Sequence, residues 1–122
     1  VSLTFIHANL ANTVMLFMLI AGTWGVILHF RKQGISGNYW GILAIGELLV
    51  LTQAALGAIL WIGGTRPGRL GVHILYGAIS ISALPAYYVF TKGQGDRNAA
   101  MAYGLLCLFL TAIGLRTATT GA

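Results

Sequence analysis

Four residues of this 122-residue chain are of types that could carry chemistry: His7, His29, His73 and Glu47. Each lies in or beside a long apolar run. A neutral imidazole can bind a metal or take a proton near pH 7. A lone carboxylate in apolar surroundings is costly unless it is paired, neutralised or put to use. Two histidines presented from separate segments at one depth suit the axial positions of a six-coordinate b-type haem, one imidazole on each face. Whether His7 and His73 meet that requirement depends on the elements that carry them.

The chain is 57% hydrophobic and only 7% charged, with a mean hydropathy of +0.83. A soluble domain carries about 25% charged residues, and one this poor in charge would expose too much apolar surface to stay monomeric. Its natural solvent is a bilayer. Apolar runs stand at about 5–30, 39–62, 70–91 and 98–115. Each approaches the roughly 20 residues needed to cross a hydrocarbon core about 30 Å thick. The connections "RKQGISGN", "GGTRPGR" and "KGQGDR" combine Gly or Pro with charge and mark turns in water. Lipid leaves a lone segment only the helix as a way to satisfy its backbone. The expectation is an all-α membrane protein: one domain over 1–122, folded as an up-down bundle of four transmembrane helices. The first run is too long for a signal peptide, and an opening Val rather than Met leads us to expect residues upstream.

The net charge of +5 comes almost entirely from loops and ends. No basic stripe with interleaved aromatics lies outside the spans, which argues against a nucleic-acid partner. Cys107 is the single cysteine and cannot form an intrachain disulfide. Call the membrane face that carries the N-terminus side A and the opposite face side B. Side A holds Arg66, Arg69 and Arg116; side B holds Arg31, Lys32, Lys92 and Arg97. The positive-inside rule then favours side B in the cytoplasm and both termini outside, in a bacterial inner membrane. Trp40 and Trp61 bracket the second run in the manner of an interfacial aromatic belt, and the final "TATTGA" reads as a frayed polar tail.

In an up-down bundle the first and third helices run parallel and sit diagonally across the core. His7 and His73 each fall a few residues into their run, so at about 1.5 Å of rise per residue they share a level beneath side A. Ala11 and Gly77, one turn further on, are small enough to leave room for a macrocycle. Arg66 and Arg69 stand where haem propionates would point. The plainer reading is two interfacial histidines with their polar tips in water, and small residues that let bare helices pack closely. His29 returns to the helix face of His7, which reads His7, Ala11, Val14, Met18, Gly22, Gly25, His29. A second haem there would need another ligand, for which Met101 is the candidate; otherwise His29 is interfacial beside Arg31 and Lys32. Glu47 lies about 12 Å into the second helix, as a proton relay, a contact to quinone or a partner subunit, or a neutral group bonded within the bundle. Gln53 also needs a partner in lipid. Pro85 should kink the third helix, with Ser80 and Ser82 near enough to repair the ladder.

The stretch "TQAALGAILWIGG", a basic turn, then "GVHILYG" resembles part of haem A synthase. That family pairs a helix of Gln-x-x-Leu-Gly type with a ligand histidine opening the next helix. Gln53, Leu56 and Gly57 match in style over about the first three helices, and His7 and His73 stand where the two ligands would be. The layout is also similar to four-helix b-type cytochrome subunits. The resemblance implies a haem site in a half-bundle. It does not carry the synthase activity: Ala8 stands where an Arg often follows the first ligand, and no loop carboxylate corresponds to the one implicated in that family.

Two functional classes follow. One is a small subunit of a respiratory or photosynthetic electron-transfer complex, ligating one haem b through His7 and His73 and exchanging electrons with quinone. The other is a haem-free accessory subunit that stabilises a quinol-oxidising complex, its larger membrane subunits and its lipids. A small transporter has less support, since the spans hold neither a second acid nor an inverted repeat. No stand-alone enzyme is expected, because no nucleophile set, CxxC pair, phosphate loop or carboxylate dyad is present.

Overall fold

The structure, a computed structural model, describes residues 2–64 and 70–120, with side chains as far as Thr117. It contains α1 (Leu3–Phe30), α2 (Gly37–Ile62), α3 (Leu70–Phe90) and α4 (Arg97–Thr120). All four are long and apolar enough to cross a membrane, and the described residues include no strand. The chain is an all-α four-helix bundle of the integral-membrane kind.

Three helices begin earlier than the apolar runs suggest, because polar residues cap them. Ser2 Oγ accepts from the Phe5 amide at 3.1 Å, Ser36 Oγ from the Tyr39 amide at 3.2 Å, and Asp96 Oδ1 from the Ala99 amide at 2.8 Å. Each satisfies an amide that the first turn of a helix leaves without a partner. At the other end, α4 continues through the "TAT" expected to fray.

Helices α1 and α3 end alike at side B. The Gln33 amide donates to the Leu28 carbonyl, and the Gly93 amide donates to the Tyr88 carbonyl. These long closing bonds turn the chain through Lys32 (φ 58°) and Lys92 (φ 55°), both left-handed where glycine is the usual residue. The two turns then meet, with the Ile35 amide donating to the Gly95 carbonyl at 2.8 Å.

The helices form a ring in chain order. Among the described residues no Cα of α1 comes within 8 Å of α3, nor of α2 within 8 Å of α4, so these are the diagonals. The closest seam is α1–α4. There Gly22 and Gly25 face Ala100 and Gly104, and a Cβ on Gly104 would lie 2.8 Å from both the Gly22 carbonyl oxygen and the Val26 nitrogen. Helix backbones touch, as small residues allow in lipid. The buried face of α1 is the stripe foreseen in the sequence, with Met18, Gly22 and Gly25 fully buried. Tyr39 from α2 closes over the crossing, fully buried, and donates from Oη to the Ala21 carbonyl at 2.7 Å.

Pro85 lies inside α3. Ser80 does not repair its ladder: the hydroxyl donates to the Tyr76 carbonyl, a turn before the Ile81 carbonyl that Pro85 leaves without an amide. Trp40 is half-buried and turns into the bundle, edge-on to Tyr88 and Tyr103 at 5.6 and 5.4 Å. Trp61 is exposed.

Two stability outcomes follow. Gly104→Ala is expected to lose about 1–3 kcal/mol by forcing α1 and α4 apart. Gly41→Ala, whose new Cβ meets nothing within 4 Å, should gain about 0.5–1 kcal/mol. Reversible unfolding in mixed micelles, followed by circular dichroism, measures both. By the same assay Lys32→Gly should gain up to about 1 kcal/mol by relieving its left-handed backbone.

Candidate functional site

His7 is the fifth residue of α1 and His73 the fourth of α3. The two helices run parallel on opposite corners of the ring, so both histidines sit in the first turns below side A. Each leans on a neighbouring helix. The His7 ring packs against α2, where Gly57 makes room for it: a Cβ there would stand 3.2 Å from His7 Cε1. One turn earlier on α2, Gln53 Nε2 donates to the His7 carbonyl at 2.7 Å. The His73 ring leans on α4, with Nδ1 3.1 Å from the Thr117 carbonyl oxygen. Thr117 lies in the last turn of α4, where carbonyls take partners from outside the helix.

The hydrogen bonds determine what these rings can do. A carbonyl oxygen only accepts, so His73 Nδ1 carries the hydrogen and the neutral ring keeps its lone pair on Nε2. Metal-ligating histidines use this arrangement, with a carbonyl or carboxylate holding the second nitrogen. His7 differs: its Nδ1 is buried and has no hydrogen-bond partner. Gln53 holds the backbone of His7, and its side chain also lies beside the His7 ring.

Few fully buried side chains surround the pair. Fully buried apolar side chains begin at Met18 in α1, end at Val50 in α2 and are limited to Leu84 in α3. Toward side A, only α4 carries its buried residues further, to Leu110 and Ile113. Gly77, one turn after His73, has nothing within 4 Å of where a Cβ would lie, and Ala11 is half-buried one turn after His7. Among the described residues no three His, Cys, Asp or Glu side chains gather as a metal-holding group. Two imidazoles are nevertheless the protein ligand set that a porphyrin takes. The fixed tautomer of His73 and the open position at Gly77 fit such a group. The missing partner on His7 Nδ1 is the departure.

The remaining expected residues lie elsewhere. Arg66 and Arg69 fall outside the described residues. His29 is half-buried near side B, its Nδ1–H donating to the Arg97 carbonyl at 2.9 Å. Glu47 faces the α2–α3 seam, away from both histidines. From the sequence alone Gln53 is only a polar group in need of a partner. Its place on the α2 stripe of Tyr39, Leu43, Gly46 and Val50, continued at the same alternating spacing, was a signal that it faces the interior.

The fold and site thus define a four-helix membrane bundle presenting two histidines from diagonal helices. Set against known proteins, the chain matches no family, no curated protein and no solved structure.

Gln53→Leu should release the start of α1 from α2. The expected loss is about 0.5–1.5 kcal/mol, with faster amide hydrogen exchange confined to roughly the first three turns of α1. Thr52→Val is the control, because Thr52 Oγ1 donates within its own helix to the Leu48 carbonyl and its removal should leave α1 exchange unchanged.

Proposed function

We propose that this chain is a small integral-membrane subunit of a respiratory or photosynthetic electron-transfer complex, holding one b-type haem between His7 and His73. The observation that carries the reading is the presentation of two imidazoles from diagonal helices at one end of the bundle, where His73 keeps its Nε2 lone pair. The Thr117 carbonyl orients the His73 ring, and Gly57 and Gln53 position His7. Gly77 and Ala11 leave room beside the rings, and Arg66 and Arg69 supply positive charge for propionates. Bound haem supplies one-electron transfer. The likeness to a haem A synthase half-bundle extends to ligand placement and not to that enzyme's reaction. By its loop charges the chain sits in a bacterial inner membrane with both termini outside the cytoplasm.

A second reading has its own support. Only Leu84 of α3 is fully buried, while Ile74, Leu75, Val89 and Phe90 are exposed. A helix so little covered by its own bundle suits a haem-free accessory subunit packed against larger subunits of a quinol-oxidising complex and their lipids.

Dithionite-reduced minus oxidised spectra separate the two. The native protein, isolated in mild detergent, is expected to show a b-type α-band. His7→Ala and His73→Ala should each abolish its low-spin form while helical circular dichroism persists. A featureless spectrum from protein that kept its native cofactors would leave the accessory reading, which co-purification with larger redox subunits then tests.

A further inference from the structure

The α2–α3 seam has the sparsest packing of the four, and it holds a cleft of about 210 Å³. Trp40 and Glu47 of α2, Leu84, Pro85 and Tyr88 of α3, and Tyr103 of α4 line it. Pro85 and Tyr88 are exposed at its edge, so the cleft opens on the outer, lipid-facing surface. Tyr103 forms the back wall and is 1% exposed. Trp40 meets Tyr88 and Tyr103 edge-on, which gives the cleft flat aromatic sides.

Two polar atoms of this lining are buried without a hydrogen-bond partner: Glu47 Oε1 and Tyr103 Oη. The Thr91 hydroxyl lies beside Tyr103 and donates to the Tyr87 carbonyl at 2.8 Å, so toward the Tyr103 phenol it can act only as an acceptor. A buried polar atom left unmatched is costly, and lipid supplies no water to relieve it. A phenol and a carboxyl together call for a ligand that carries oxygen functions and arrives through the hydrocarbon. No Lys or Arg lines the cleft, so an anionic phospholipid head would meet a carboxyl with no cation to offset it. The volume suits one substituted six-membered ring, with any tail left in the lipid.

We propose that this cleft binds the ring of a lipid-soluble quinone or quinol, with Tyr103 Oη and the Glu47 carboxyl hydrogen-bonded to ring oxygens. The site stands on its own residues and does not require haem at His7 and His73.

Trp40 provides the readout. Replacing Trp24 and Trp61 with Phe leaves it as the sole tryptophan of the three. The protein is placed in phosphatidylcholine nanodiscs and titrated with a decyl-substituted dimethoxybenzoquinone, which quenches nearby indole. Saturable quenching is expected. Glu47→Leu and Tyr103→Phe should each weaken the apparent Kd about tenfold, the scale of one hydrogen bond, with circular dichroism showing that the helices are retained. Quenching that rises linearly with quinone content would overturn the proposal, as would an unchanged Kd in both variants. Displacement by an equal amount of dioleoylglycerol would also overturn it, making the occupant a lipid hydroxyl. Saturable quenching that persists in the His7→Ala/His73→Ala variant supports a site independent of haem; its loss there would refute that independence.

Discussion

The α1–α4 crossing is the contact on which the rest of the bundle depends. Hydrophobic burial does not hold helices together in lipid, because the tails are as apolar as the side chains. Close packing has to do so, and here it is as close as backbones permit. Gly22 and Gly25 on α1 meet Ala100 and Gly104 on α4 with no Cβ room to spare. Tyr39 locks the crossing from α2 through its bond to the Ala21 carbonyl. This contact sits in the half of the bundle nearer side B, and so does most of the fully buried core. The helices are therefore anchored at one end, and few fully buried side chains stand at the end that carries His7 and His73.

The tight half also determines how the histidines are held. With α1 and α4 locked together, α3 takes its place largely through α4. Its histidine can then reach the last turn of α4 at Thr117. His7 is steadied from the other side by α2, through Gln53 and the space at Gly57. Each imidazole is thus placed by a helix that bears neither histidine. The capped starts of α1, α2 and α4 add to this by fixing where each helix begins, and hence the level at which its side chains stand.

Much of the fold was legible because lipid removes alternatives. Four apolar runs with breaker-rich connections leave little besides four helices, and the stripe from His7 to His29 is the face that α1 buries. The misses have local causes. Helix starts were misjudged because Ser2, Ser36 and Asp96 are polar, and a hydropathy reading stops at polar residues that in fact cap the helix. The tail continues α4 past Leu115, and Thr117 there donates its hydroxyl to the Ile113 carbonyl at 2.7 Å. Trp40 reads as a belt residue from its position alone. Only its neighbours Tyr88 and Tyr103, distant in sequence, turn it inward. The candidate site was legible in depth but not in rotation. Spacing sets the level of His7 and His73, whereas their partners Gln53 and Thr117 come from helices whose angular setting no single run specifies.

Hydrogen-bond satisfaction separates structural polar groups from those that await a ligand. Most serine and threonine hydroxyls described in the spans bond to a carbonyl one turn back in their own helix, as Thr23, Thr52, Ser80 and Thr111 do. Such groups need nothing from outside and mark no site. Among the described side chains the buried polar atoms left without a partner are His7 Nδ1, Gln53 Oε1, Glu47 Oε1 and Tyr103 Oη. They fall in two places, one pair where α1 meets α2 near side A and the other lining the α2–α3 cleft. Helix α2 carries Gln53 of one pair and Glu47 of the other, six residues and about 9 Å apart along its axis. An occupant of either place would therefore bear on the same helix.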